Sequence, residues 1–164
     1  MLVVCGVSGS GKSTLGAALA DALGLPFVDA DALHPEANLA KMAAGVPLVD
    51  EDRWPWLENV GDVMASTASG VVVACSALRR RYRDVIRNRV AAPRFVLLEA
   101  PSLLLRERME TRPGHFMPAS LLDSQLATLE PLGSDEHGLR VDASHSVDRL
   151  TGQIIEWLAS PVVM

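Results

Sequence analysis

The residues Gly6-Val7-Ser8-Gly9-Ser10-Gly11-Lys12-Ser13 fit the spacing G-x-x-x-x-G-K-[ST] of a Walker A phosphate-binding loop without a mismatch. Leu2-Val3-Val4-Cys5 precedes them as a short apolar, β-branched run that reads as a buried strand. From Lys12 to Leu23 the apolar residues Leu15, Ala18, Leu19, Ala22 and Leu23 recur at helical spacing. Strand, glycine loop and helix form the setting in which backbone N–H groups converge on phosphate oxygens. The helix N-terminus adds partial positive charge and Lys12 a full one. The expectation is a nucleoside triphosphate held by Gly6, Ser8, Gly9, Ser10, Gly11, Lys12, Ser13 and Thr14. Ser13 offers its hydroxyl to a magnesium ion bridging the terminal phosphates.

A second chemical group follows the next apolar segment, Pro26-Phe27-Val28, which ends at Asp29-Ala30-Asp31. In extended backbone, carboxylates two residues apart face the same side. Phosphoryl transfer to an alcohol requires one group to orient the hydroxyl and take its proton, and another to help hold the metal. Asp31 is assigned to the hydroxyl and Asp29 to magnesium-bound water. The third apolar run, Val71-Val72-Val73-Ala74-Cys75, ends without an acid, so the metal-ordering duty falls to the pair after the second. Ser76 and Ala77 offer backbone N–H groups at an expected helix start, with Arg79 beside them.

The elements that must position these groups alternate along the chain. Strands are expected at residues 2–5, 26–31, 71–75, 94–99 and 139–142. Helices are expected at 12–23, within 33–48, from Glu51 to about Ser66 with Asp50 as N-cap, from a Ser76 cap to Val90, and at 102–109, 119–129 and 147–159. This is an α/β fold with a five-stranded parallel sheet flanked by helices, read as a single domain over 1–164. Hydrophobic residues make up 49% of the 164 but aromatics only 4%, so the core is aliphatic, as parallel strands covered by helices require. The net charge of −5 argues against a nucleic-acid or anionic-membrane surface. Within the cluster Arg79, Arg80, Arg81, Arg83, Arg87 and Arg89, most side chains are read as a solvated face, and only Arg79 and Arg83 are kept as site candidates. Cys5 and Cys75 read as core thiols of a reducing compartment. No signal peptide or membrane span is expected, which points to the cytoplasm.

Further blocks carry a resemblance. Asp31-x-x-His34-Pro35-x-x-Asn38, Lys41-Met42, Gly45-x-Pro47-Leu48 and Asp50-x-Asp52-Arg53-x-Pro55-Trp56-Leu57 stand at the spacing of the gluconate kinases, P-loop kinases of small molecules. Cys75-Ser76-Ala77-Leu78-Arg79-x-x-Tyr82-Arg83-Asp84, Arg112-x-Gly114-His115-Phe116 and Gln125-x-x-Thr128-Leu129-Glu130 extend the match, so that the chain resembles this family from Gly6 to about Asp142. The resemblance implies ATP- and Mg2+-dependent phosphorylation of D-gluconate to 6-phosphogluconate, a sheet like that of shikimate and nucleotide kinases, and a homodimer. It also implies a small lid at about 110–118 with His115 at its tip toward the substrate; Arg108 and Arg112, one helical turn apart, clamp the ATP phosphates as that lid closes. A sugar acid needs a cation for its carboxylate, which Arg53 supplies as a bidentate fork, with His34 and Arg79 lining the same pocket. Lys12, Asp31 and Arg112 are thus the expected catalytic set. The alternatives are a kinase for another hydroxy acid such as shikimate, or a nucleotide-gated regulatory module.

Overall fold

The computed structural model describes residues 1–111 and 119–160. Five strands alternate with helices: β1 (Leu2–Cys5), α1 (Lys12–Leu23), β2 (Phe27–Asp29), α2 (Glu36–Ala43), α3 (Asp50–Ser66), β3 (Val72–Ala74), α4 (Arg80–Arg87), β4 (Arg94–Glu99), α5 (Ser102–Thr111), α6 (Ala119–Thr128), β5 (Gly138–Asp142) and α7 (Val147–Ala159). The strands form one parallel sheet in the order β2-β3-β1-β4-β5. The α/β reading from alternation therefore holds, and β4, α1 and α7 keep the limits expected from pattern.

Period-two alternation divides the strand side chains between two layers. Val3, Cys5, Val73, Cys75, Phe95 and Leu97 face one way and pack with Trp56, Leu57, Val60 and Met64 of α3 and Tyr82 and Ile86 of α4. Leu2, Val4, Val72, Val96, Leu98 and Val141 face the other way, onto Leu15 and Leu19 of α1 and Leu150 and Ile154 of α7. A smaller cluster of Val7, Leu78, Leu105 and Leu122 seats α5 and α6 over the strand ends. With apolar side chains on both faces, the sheet leaves its polar chemistry to the loops at the carboxyl ends of β1, β2 and β3. No described helix is long and apolar enough to cross a membrane.

Three local expectations fail. Asp50 does not cap α3: Val49 holds the N-cap position, and its N–H donates to Asp52 Oδ2 at 3.0 Å, while the Asp50 carboxylate turns to Tyr82 and Arg81. Ser76 does not cap α4: the helix starts at Arg80, because Ala77 sits at φ +35° and breaks the run. Ser76 and Ala77 therefore stand in a loop and not at a helix start. Asp31 is not in extended backbone either; β2 stops at Asp29, and Ala30–Leu33 forms a 3-10 turn.

Candidate active site

β1 runs into the glycine loop, and α1 begins at Lys12 with no acidic residue in its first turn. Gly9 (φ +79°) and Gly11 (φ +92°) take left-handed backbone that other residues avoid. A Cβ on Gly9 would come within 3.0 Å of Met109 Cγ and 3.1 Å of the Leu105 carbonyl, so α5 closes directly on the loop. The Ser10 N–H donates to the Val7 carbonyl at 3.2 Å, and the Ser8 N–H to Gln125 Oε1 at 2.8 Å. Among the described residues, the N–H groups of Gly9, Gly11, Lys12, Ser13 and Thr14 find no acceptor, which leaves a ring of donors for phosphate oxygens. Ser8 and Ser10 shape the loop instead, since their own N–H groups are already used. Lys12 Nζ donates to the Val7 carbonyl at 3.1 Å. Burial pulls the Lys12 ammonium below its ordinary pKa, and Asp31 is the foremost charge opposing that.

The end of β2 meets the start of α1. Ser13 Oγ donates to Asp29 Oδ2 at 2.6 Å, and Asp29 Oδ1 accepts the Asp31 N–H at 3.0 Å, capping the 3-10 turn. The Asp31 carboxylate is exposed and makes no hydrogen bond among the described residues. The two aspartates do not share one extended strand, yet both act on the phosphate loop, Asp29 through the Ser13 hydroxyl and Asp31 through its charge on Lys12.

His34 follows the turn and is fixed on two sides. Its ring stacks on Trp56 with centroids 4.2 Å apart and planes 14° from parallel. Its Nδ1 lies 3.2 Å from Asn38 Nδ2, an amide donor, so Nδ1 accepts and Nε2 carries the proton. Burial lowers its pKa, against Asp31 and with Arg53, so at neutral pH the ring is uncharged and its Nε2–H is a donor. Buried Asn38 also donates to the Asp52 carbonyl at 2.8 Å, and Trp56 Nε1 donates to the Ala30 carbonyl at 2.7 Å. The block around His34 is thus tied to the start of α3, which carries Arg53. Arg53 and Arg79 flank the buried Tyr82 ring, their Cζ atoms 5.6 and 5.9 Å from its centroid. Ser76 reaches the site through its carbonyl, which accepts the Gly6 N–H at 3.4 Å.

Arg108 sits beside the loop, donating to the Ser10 carbonyl at 3.5 Å and the Ala143 carbonyl at 2.7 Å. Arg112 and His115 lie outside the described residues. Arg83 is not part of the site, nor is it solvated: it is shut from solvent, pairs with Glu136 at 2.6 and 3.0 Å, and donates to the carbonyls of Ala77, Leu78, Glu130 and Pro131. What sequence reasoning underused is α6. Gln125 exchanges two hydrogen bonds with Ser8, and Glu130 accepts the Arg80 N–H at 2.6 Å while its own N–H donates to Leu78. The signal was the Gln125-x-x-Thr128-Leu129-Glu130 block; its partners, 117 and 50 residues away, were not readable from it.

A donor-lined phosphate loop with its lysine at the end of β1, an aspartate after β2 with no hydrogen bond among the described residues, and arginines from α3 and the loop after β3 define a P-loop kinase acting on a small molecule. A family model described as an AAA domain matches residues 1–132. The chain is 46% identical to the gluconokinase of Gluconobacter oxydans over 157 residues, which cover 94% of this chain and 88% of that protein. It is similar to the crystal structure of a gluconokinase from Sinorhizobium meliloti, with a TM-score of 0.89 and 47% identity over 96% of this chain and 90% of that one. A shikimate kinase from Bacteroides thetaiotaomicron shares the fold, with a TM-score of 0.71 at 17% identity over 97% of this chain and 98% of that one. The chain belongs to the gluconokinase family.

Proposed function

We propose that the protein transfers the γ-phosphoryl group of ATP to the primary hydroxyl of D-gluconate, giving 6-phospho-D-gluconate. The observation that carries the reading is the meeting of Ser13, Asp29 and the exposed Asp31 at the mouth of the phosphate loop, within a chain of this family. Asp31 orients the attacking hydroxyl and accepts its proton as the oxygen–phosphorus bond forms. Lys12 and the free N–H groups offset charge on the transferred phosphoryl group. Ser13 Oγ and Asp29, 2.6 Å apart, are two oxygen donors suited to a magnesium ion, Ser13 directly and Asp29 through water. A magnesium ion held there would lower the cost of the charge that develops on the transferred phosphoryl group. Arg53 forks onto the acceptor's carboxylate with Arg79 nearby, and the His34 Nε2–H serves a hydroxyl. Arg108 keeps the phosphate loop in place from α5, and Arg112 and His115 complete the nucleotide and substrate contacts.

We further infer a single domain over 1–164, a small lid at about 110–118, a cytoplasmic location and a homodimer. Product mass spectrometry tests the central assignment. D-gluconate incubated with the protein, ATP and Mg2+ gains the mass of one phosphoryl group; an unchanged mass while ATP is still bound contradicts it.

A further inference from the structure

We propose that Tyr82 and Asp50 are positioning residues that keep Arg53 and Arg79 uncommitted, and so set the preference for an acid over a neutral polyol as acceptor. The inference rests on the kinase reading above. It begins from a difference among the arginines around α4. Arg80 pairs with Asp135, Arg81 with Asp50, Arg83 with Glu136, Arg87 with Asp84 and Arg89 with Asp62, each within hydrogen-bond distance of a carboxylate oxygen. Arg53 and Arg79 have no such partner among the described residues. Asp50 is close enough to be one for Arg53, but the guanidinium stays 3.8 Å away.

The reason lies in how Asp50 is used. Its Oδ1 accepts the Tyr82 hydroxyl at 2.5 Å, and its Oδ2 accepts Arg81. Burial, together with the bond to Asp50, raises the Tyr82 pKa, so the phenol keeps its proton and remains a donor. With Oδ1 occupied, Arg53 is attracted by charge but not closed into a fork. The Tyr82 ring holds both guanidinium groups at cation–π distance without using an N–H. Two planar donor forks are therefore oriented and unspent around one ring, with Arg53 near enough to His34 to act on its charge, and a carboxylate matches that geometry where an alcohol does not.

Removing only the hydroxyl, Tyr82→Phe, leaves the ring and frees Asp50 Oδ1 to capture Arg53. The expected result is an acceptor KM about tenfold higher, with kcat and the ATP KM within about twofold of wild type, because an interaction made equally in ground and transition states is lost. Adding Asp50→Asn to Tyr82→Phe removes the capturing charge and recovers most of that loss. A tyrosine that merely fills space yields no such recovery. An unchanged acceptor KM in Tyr82→Phe, an equal rise in the ATP KM, or no recovery in the double variant overturns the inference. Wild-type turnover with D-gluconate tests the parent reading separately. If another hydroxy acid is the acceptor, the same variants are read with that acid; if only neutral acceptors or none are used, both readings fall.

Discussion

Asp29 uses both carboxylate oxygens within the chain, one on the Ser13 hydroxyl and one on the Asp31 N–H, whereas the Asp31 carboxylate is exposed and uncommitted. Two aspartates two residues apart thus reach different states, one built into the loop and one free to meet an acceptor. Asp31→Asn removes the proton acceptor but keeps the side chain's size. It is expected to bind ATP with wild-type affinity while turnover falls by roughly 10²–10⁴. Calorimetry with ATP beside steady-state rates measures the split, and near-normal turnover would move the base elsewhere. At this scale the phosphate loop was legible because its chemistry is contiguous: one octapeptide holds the turn, the donors, the lysine and the hydroxyl. Arg83 was not legible. Composition cannot tell which of six clustered arginines turns inward, and that depends on Glu136, 53 residues away.

Among the elements, α4 is held by residues far away in sequence. Its N-cap residue, Arg79, makes no side-chain cap, and the orphan N–H of Arg80 is satisfied by Glu130, beyond the end of α6. Buried Arg83 fastens the same helix to the 130–136 segment and to the Ala77 and Leu78 carbonyls in the loop leaving β3. With Gln125 on Ser8, α6 and the residues after it join the phosphate loop to that exit loop. Burial pushes the Glu136 carboxyl pKa up, but the Arg83 hydrogen bonds and the Gly133 N–H outweigh it, and the net shift is downward. A carboxylate with a depressed folded-state pKa gives stability that is complete above its unfolded value. That stability is lost as pH falls through the lower folded value. Acid unfolding should therefore be steeper in wild type than in Glu136→Gln over that window, measured by denaturant melts from neutral pH downward. Glu136→Ala, which strands a buried guanidinium, should cost about 3–5 kcal/mol at neutral pH. Equal acid limbs would show that the pair does not carry this pH dependence. The limits of α1, β4 and α7 were readable because each has a repeating apolar face. The start of α4 was not, because its cap comes from 50 residues away in sequence.

For the whole molecule, the strand order β2-β3-β1-β4-β5 sets the phosphate loop of β1 beside the exit of β3 and one strand from the aspartates of β2. Alternation of strands and helices made the parallel sheet legible, but pattern alone did not specify which strands are neighbours. Under the proposed function, the nucleotide would lie on the phosphate loop and the acceptor between Asp31 and the side chains of His34, Arg53 and Arg79. Acceptor-dependent phosphoryl transfer is the decisive property of the proposed function. The most direct measurement is ADP release from ATP and Mg2+ with D-gluconate, beside shikimate, other sugar acids, nucleoside monophosphates and no acceptor. D-gluconate should stimulate release strongly, with background rates for the rest. Stimulation by a different acceptor would contradict the substrate assignment, and ATP turnover indifferent to every acceptor would contradict the kinase reading itself.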